Sequence, residues 1–224
     1  FGAGRKEMIT YEVRLKKIGA MTTLPDSQRL FGFLINNSKK YCSEGEISIF
    51  VKKVREQKEK CMISSVFPTG YYPTPKGFII QKLEYKLESA KNIYEIIKNM
   101  DFVEKNQLNK LLKLGENREK IDVKNLKEFK YIKKNQTFIQ KFRLENQIKE
   151  LPGIPNVAYS LPILSFTNKV GDVQKEFSFF VKVEKESCIS KCLEKMKKIL
   201  DKYEIPCFLG GKGSSGYNEY RIHC

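Results

Sequence analysis

Glu176-Phe-Ser-Phe-Phe-Val-Lys-Val-Glu184 and the stretch just beyond it, Ser187-Cys-Ile-Ser-Lys-Cys-Leu-Glu-Lys-Met-Lys-Lys-Ile-Leu200, decide the fold. In the first, Phe177, Phe179, Val181 and Val183 alternate with Ser178, Phe180, Lys182 and Glu184, the period of a strand. In the second, Ser187 is placed to cap a helix whose buried stripe is Ile189, Cys192, Leu193, Met196, Leu200 and Tyr203. Lys191, Lys195, Lys198 and Lys202 fall on its outer side. The same succession opens the chain. Ile9, Tyr11, Val13 and Leu15 alternate with Thr10, Glu12, Arg14 and Lys16, a turn follows from Gly19 to Pro25, and Asp26 or Ser27 caps a helix running to about Tyr41. Strand-then-helix near both ends predicts an α+β chain of the split-βαβ, ferredoxin-like (RRM-like) kind, with an antiparallel sheet and two related halves.

Between these ends the signals are weaker. Ser43-Glu-Gly-Glu46 is a capping box ahead of a second helix carrying Ile47, Phe50, Val51 and Val54. Residues 61–66 form a short apolar strand. Phe67-Pro-Thr-Gly-Tyr-Tyr-Pro-Thr-Pro75 then reads as an ordered loop without regular structure, on account of three prolines and a glycine. Leu87, Ala90, Ile93, Tyr94 and Ile97 predict an amphipathic helix from Lys86 to Met100, and Leu108, Leu111 and Leu112 a further one after Asp101. The expected division is residues 8–224 as one unit, with approximate halves 8–85 and 150–224 and a helical and basic insert over 86–149. Residues 1–7 read as an appended remnant outside the fold, since alternation starts only after Met8.

Charge narrows the partner. Lys and Arg number 42 against 26 Asp and Glu, a formal net charge of +16. The excess is spread over all thirds of the sequence, so it belongs to folded surface, and a polyanion, with nucleic acid first, is the expected partner. Only seven of the basic residues are Arg, which favours phosphate contact over bidentate reading of base edges. Phe129, Tyr131, Phe138 and Phe142 stand among Lys127, Lys130, Lys133, Lys134, Lys141 and Arg143, a mixture that suits a single strand whose bases stack while its phosphates meet cations and equally suits a solvated helix or hairpin face with its aromatics in the core. No run reaches the roughly 18 apolar residues of a spanning helix, so no membrane partner is expected. Six cysteines without a close-set framework or a secretory leader fit a reducing cytosol. Cys188 and Cys192 lack a matching pair of metal ligands.

Gly210-Gly-Lys-Gly-Ser-Ser-Gly216 satisfies GxGxxG literally, yet no helix follows it as a dinucleotide site requires, and Gly213 stands where a Walker loop needs Ser or Thr. Two readings remain: a flexible backbone approach in which amides, the Ser214 and Ser215 hydroxyls and Lys212 meet phosphate oxygens, and a plain glycine-rich turn joining two elements. Catalysis finds little support. The sole histidine, His223, is one residue from the end and expected to fray, acidic residues are scattered among lysines, and no metal or cofactor is expected.

Three segments in order carry a family resemblance. Thr23-Leu-Pro-Asp-Ser-Gln-Arg-Leu-Phe-Gly-Phe-Leu34, Ile63-Ser-Ser-Val-Phe-Pro68 with Pro73 and Pro75, and Phe208-Leu-Gly-Gly-Lys-Gly-Ser-Ser-Gly-Tyr217 resemble the first-helix start, the Ser-x-x-Phe-Pro loop and the glycine-rich loop of the Csm-type subunit four of type III-A CRISPR effector complexes, in the RAMP superfamily. The resemblance implies a RAMP fold with hairpin insertions and a non-catalytic, cytoplasmic subunit. It also implies a grip on the 5′ repeat-derived tag of the CRISPR RNA and contacts with the large Palm-domain subunit and a backbone RAMP subunit. By motif, Ser27 and Arg29 face the RNA together with Gly210, Gly211, Lys212, Gly213, Ser214, Ser215 and Gly216. Lys133, Lys134 and Arg143 join that expected set from the basic segment. The chain departs from the family in its shorter length and in Asn218, where a glycine often continues the loop. The alternatives are a metal-independent RAMP endoribonuclease acting on precursor CRISPR RNA and a basic scaffold protein without specific RNA.

Overall fold

A computed structural model describes residues 7–84, 90–116, 121–122, 128–141 and 159–223. The main sheet has the order β11-β12-β1-β10-β2, with β3 also on β10. Its strands are β1 (Met8–Lys17), β2 (Cys61–Ile63), β3 (Phe67–Pro68), β10 (Glu176–Glu184), β11 (Ile205–Phe208) and β12 (Glu219–His223), and all its pairings are antiparallel. Helices α1 (Ser27–Ser38) and α2 (Glu44–Arg55) follow β1, and α6 (Cys188–Leu200) follows β10. The two strand-then-helix units read from the sequence are therefore the halves of one ferredoxin-like arrangement, in which β1 and β10 lie side by side at the centre.

β10 is central because its inward row is wholly apolar. Phe177, Phe179, Val181 and Val183 are all fully buried, as are Leu15 on β1 and Ile189 and Cys192 on α6. Each such side chain contributes about 1.5–3 kcal/mol by leaving water. The register sets Val13 against Phe179 and Leu15 against Phe177, so both strands turn the same face toward the helices. The caps form as the sequence requires: Asp26 accepts from the Arg29 amide, Ser43 and Glu46 complete a capping box, and Ser187 accepts from the Ser190 amide.

A second sheet, β4-β6-β8-β9, lies between β2 and β10 in sequence. It comprises β4 (Tyr71–Pro73), β6 (Phe102–Glu104), β8 (Tyr131–Lys141) and β9 (Tyr159–Asn168). Helices α3 (Lys76–Lys82), α4 (Ala90–Asn99) and α5 (Lys105–Glu116) accompany it, and β5 (Leu83–Glu84) pairs in parallel with β7 (Ile121–Asp122). Ile79, Ile93, Ile97, Met100, Val103 and Phe129 make a core of their own. Phe102 and Phe166 of this sheet belong instead to the main core, through edge-on contacts from Phe102 to Phe166 (5.8 Å) and from Phe166 to Phe177 (5.5 Å).

Several expectations are corrected. The 67–75 stretch contains strands: Pro68 sits opposite Phe177 and Pro73 opposite Phe102, at short edge positions where a missing amide is tolerated. Tyr203 lies past the end of α6 and is 71% exposed, and Tyr94 is exposed on α4. Glu7 is tied into the fold, since its carbonyl accepts from the Lys185 amide and its carboxylate pairs with Lys185 at 2.9 Å. That contact continues the β1–β10 ladder one step beyond Met8. Leu87, Lys127, Phe142 and Arg143 lie outside the described residues.

Phe179→Ala is expected to lower the unfolding free energy by about 3–5 kcal/mol. Urea titration of the two proteins checks it, and a loss below about 1 kcal/mol would contradict the central place given to β10.

Candidate nucleic-acid interface

The segment from Ile18 to Thr23 leaves β1 and is gripped on both sides. The amides of Ile18 and Gly19 donate to the Glu219 carbonyl (3.0 and 3.2 Å), and the Ala20 carbonyl accepts from the Asn218 amide (2.9 Å). On the other side the Met21 carbonyl accepts from the Leu164 amide of β9 (2.7 Å). A Cβ placed on Gly19 would overlap the Gly216 carbonyl oxygen, so only glycine permits this approach of backbone to backbone.

Asn218 closes the arrangement. It is 1% exposed, its Oδ1 accepts from the Thr22 amide (2.9 Å), and its Nδ2 donates to Thr22 Oγ1 and the Gly211 carbonyl (2.8 Å each). Its φ of 55° is left-handed, a conformation Asn tolerates better than most side chains, which explains how Asn stands where the resembled family often has glycine. Thr23 Oγ1 in turn accepts from the Arg29 guanidinium (3.2 Å). Through Thr22 and Thr23 the structure brings the 210–216 loop and the start of α1, with Ser27 and Arg29, to one end of the sheet. Asn218 was flagged in the sequence only as a departure. Its role as a clasp shows in no local pattern, because Thr22 lies almost the whole chain away.

The loop is held rather than flexible. Gly213–Ser215 form a single 3-10 turn flanked by Lys212 (φ 62°) and Gly216 (φ 74°), and the Ser215 and Gly216 amides donate to the carbonyls of Lys212 and Gly213. The amides of Gly211, Gly213 and Ser214 and the hydroxyls of Ser214 and Ser215 have no protein partner among the described residues. These donors stand beside the exposed Lys212, a suitable set for phosphate oxygens. Lys17 adds a cation at the base of the loop: its ammonium reaches the Gly19 carbonyl (3.5 Å), and burial, then the neighbouring Lys175, hold its pKa below the ordinary value. At Gly213 a Cβ would lie 3.0 Å from the Phe208 ring, so an added side chain there needs that exposed ring to give by a few tenths of an ångström.

Lys133 and Lys134 are exposed on β8, in the second sheet rather than at the loop. The aromatics of that segment divide. Phe129 is buried, Tyr131 is half-buried beneath the Lys169 ammonium (5.0 Å to the ring centroid), and Phe138 stands 63% exposed. His223 does not fray: it pairs with Arg14 in the sheet, and its Nε2 lies 2.7 Å from Glu176 Oε2. No group of three or more metal-ligating side chains occurs among the described residues, and no helix among them is long and apolar enough to cross a membrane. Burial pushes the Cys207 thiol up to about 12, and burial followed by a hydrogen bond with Cys42 does the same for Cys188.

The chain is thus a ferredoxin-like α+β sheet bearing a glycine loop and an inserted second sheet. No protein-family model and no curated protein matches the chain. Among solved structures it is similar to the crystal structure of a Csm1-Csm4 cassette in complex with pppApA, with a TM-score of 0.51 and 14% identity over 85% of this chain and 66% of that one. The Csm1-Csm4 cassette in complex with AMPPNP gives a TM-score of 0.50 at 13% identity, over 85% of this chain and 67% of that one. The chain thus spans about two thirds of the length of the structures it matches. The fold agrees with the family resemblance drawn from the three sequence segments.

Two outcomes test the geometry. Asn218→Ala should be less stable than Asn218→Gly by about 1 kcal/mol, because both lose the side-chain clasp but only glycine accepts the left-handed backbone freely. Equal unfolding midpoints would deny the role of that backbone. Iodoacetamide near neutral pH should leave Cys188 and Cys207 unmodified in the native protein and alkylate both after unfolding. Mass spectrometry of the labelled peptides reads the result.

Proposed function

We propose that the chain is a CRISPR RNA-binding subunit of a type III-A effector complex, seated against a large Palm-domain subunit and a backbone RAMP subunit, with the 5′ tag of the RNA at the glycine loop. The observation that carries the reading is the rigid loop of free amides and hydroxyls, clasped by Asn218 beside Arg29, on a fold similar to that in the Csm1-Csm4 cassette. A backbone fixed before binding loses little entropy when a phosphate arrives, and amide donors contact phosphate without reading bases. Lys212, Lys17 and Arg29 supply the charge, and a predominance of Lys over Arg suits a grip that tolerates sequence. In this reading the subunit holds RNA and performs no chemistry, with neither metal nor cofactor.

One feature favours the alternative of a processing nuclease. His223 is positioned by Glu176 and stands near Arg14 and Lys16 on the strand beside it, an arrangement able to orient a general base. Incubation of the purified chain with repeat RNA in the absence of metal separates the two readings. The expected result is tight binding without cleavage, with log affinity falling against log salt at about 0.7 per phosphate contacted. Site-specific cutting that disappears in His223→Ala would establish the nuclease instead, and affinity indifferent to salt would remove the phosphate grip.

A further inference from the structure

The outer face of α6 carries charge that the glycine loop does not use. Lys191, Lys195 and Lys198 are exposed at helical spacings of four and three, so they share one side of the helix over about 10 Å. Lys202 follows in the turn that its amide closes on the Ile199 carbonyl (3.0 Å). Lys191 has a carboxylate, Glu46, at 3.7 Å, whereas Lys195, Lys198 and Lys202 have none within 4.0 Å among the described residues. Glu194, placed to pair with Lys198 one turn on, instead accepts from the Tyr11 hydroxyl (2.9 Å). A helix face adapted only to water commonly intersperses both signs at such spacings, and like charges one turn apart repel.

Two further features lie at the end of this row. Tyr203 is 71% exposed and Ile199 41%, so an aromatic ring and an aliphatic side chain stand in water beside unpaired ammonium groups. A row of cations ending in an exposed ring suits a single strand, whose phosphates meet ammonium groups while a base lies on the ring. An acidic protein surface would leave the ring without a role. The row also points the right way. The end of α1 is bonded to the start of α6 through Ser38 Oγ and the Cys188 carbonyl (3.3 Å), and the start of α1 lies at the clasped loop. Packed antiparallel, α6 runs back toward the loop end of the molecule.

We infer that the outer face of α6, with Lys191, Lys195, Lys198, Lys202 and Tyr203, is a second, sequence-independent contact for single-stranded RNA, separate from the glycine loop and taking the portion of a strand that the loop does not hold. It rests on the RNA reading of the loop for the origin of that strand, and the test separates the two. Binding of an RNA of about 8 nucleotides and one of about 30 is measured against salt for the full chain and for the variant Lys191→Gln, Lys195→Gln, Lys198→Gln, Lys202→Gln. The long RNA should lose about 2 to 3 from the magnitude of its log-log slope, and the short RNA should keep its affinity. The fourfold Arg replacement should retain the parent slope, and Tyr203→Ala should weaken the long RNA about tenfold without changing its slope. An unchanged long-RNA slope in the Gln variant overturns the inference, whether or not the short RNA binds. Equal loss for both RNAs also overturns it, because the row would not be a separate contact. Undiminished long-RNA binding in a variant that no longer binds polyglutamate would give the face to an acidic protein. Failure of the short RNA to bind the parent counts against the loop alone and leaves the α6 comparison decisive.

Discussion

The close approach of Gly19 to the Gly216 carbonyl, fastened by Asn218, is the constraint on which the rest of the architecture turns. The 18–23 segment pairs with the loop end of β12 on one side and with β9 on the other, so the same few residues join both sheets. A side chain at Gly19 would force apart two backbones that have no flexible end to yield. The loop's shape is thus a property of the whole fold, and its free amides are aimed by contacts made far from them. Holding the loop this way requires a buried polar clasp, and Asn218 is satisfied on both its amide and its carbonyl sides. Buried polar groups stabilise only when matched in this manner.

Charge and geometry take separate roles around that clasp. The net charge of +16 is distributed over the surface and draws a polyanion from a distance, but distributed lysines do not by themselves choose where a phosphate rests. The loop's amides and hydroxyls make that choice, being short-range, directional and fixed. The α6 lysines are the complement: long, mobile ammonium groups on a rigid helix, adapted to following a backbone.

The two ends of the chain were legible because their elements are each buried on one side. β1, β10, α1, α2 and α6 show clean periods, and the caps at Asp26, Ser43 and Ser187 fall where the sequence places them. The inserted sheet was not legible, for reasons visible in its burial. Along β8 only Ile132 is buried among residues 131–139, so no alternation marks it as a strand. Along β9 the buried positions shift phase, from Leu161 to Leu164 and Phe166, with Pro162 between them. Phe129, Tyr131 and Phe138 divide between core and surface, a division that composition cannot show because it counts aromatics but not which side of the fold they occupy. At the site, the loop's glycines were conspicuous, while Lys17, Gly19, Thr22 and Asn218 acquire their roles only through contacts between the chain's two ends.

The position of the insertion follows from the same constraint. A ferredoxin-like sheet must keep its first and third core strands adjacent, and here these are β1 and β10, joined along Met8–Lys16 and Glu176–Glu184. Extra chain between β1 and α1 would disturb the Thr22 and Thr23 contacts that fasten the loop. Extra chain between α6 and β12 would disturb the turn on which Lys212 and Gly216 depend. The link from β2 to β10 bears on neither, so a second sheet inserted there leaves the clasp intact. Its one demand is an anchor, and Leu164 provides it by bonding to Met21, immediately beside the segment that Gly19 and Asn218 hold in place.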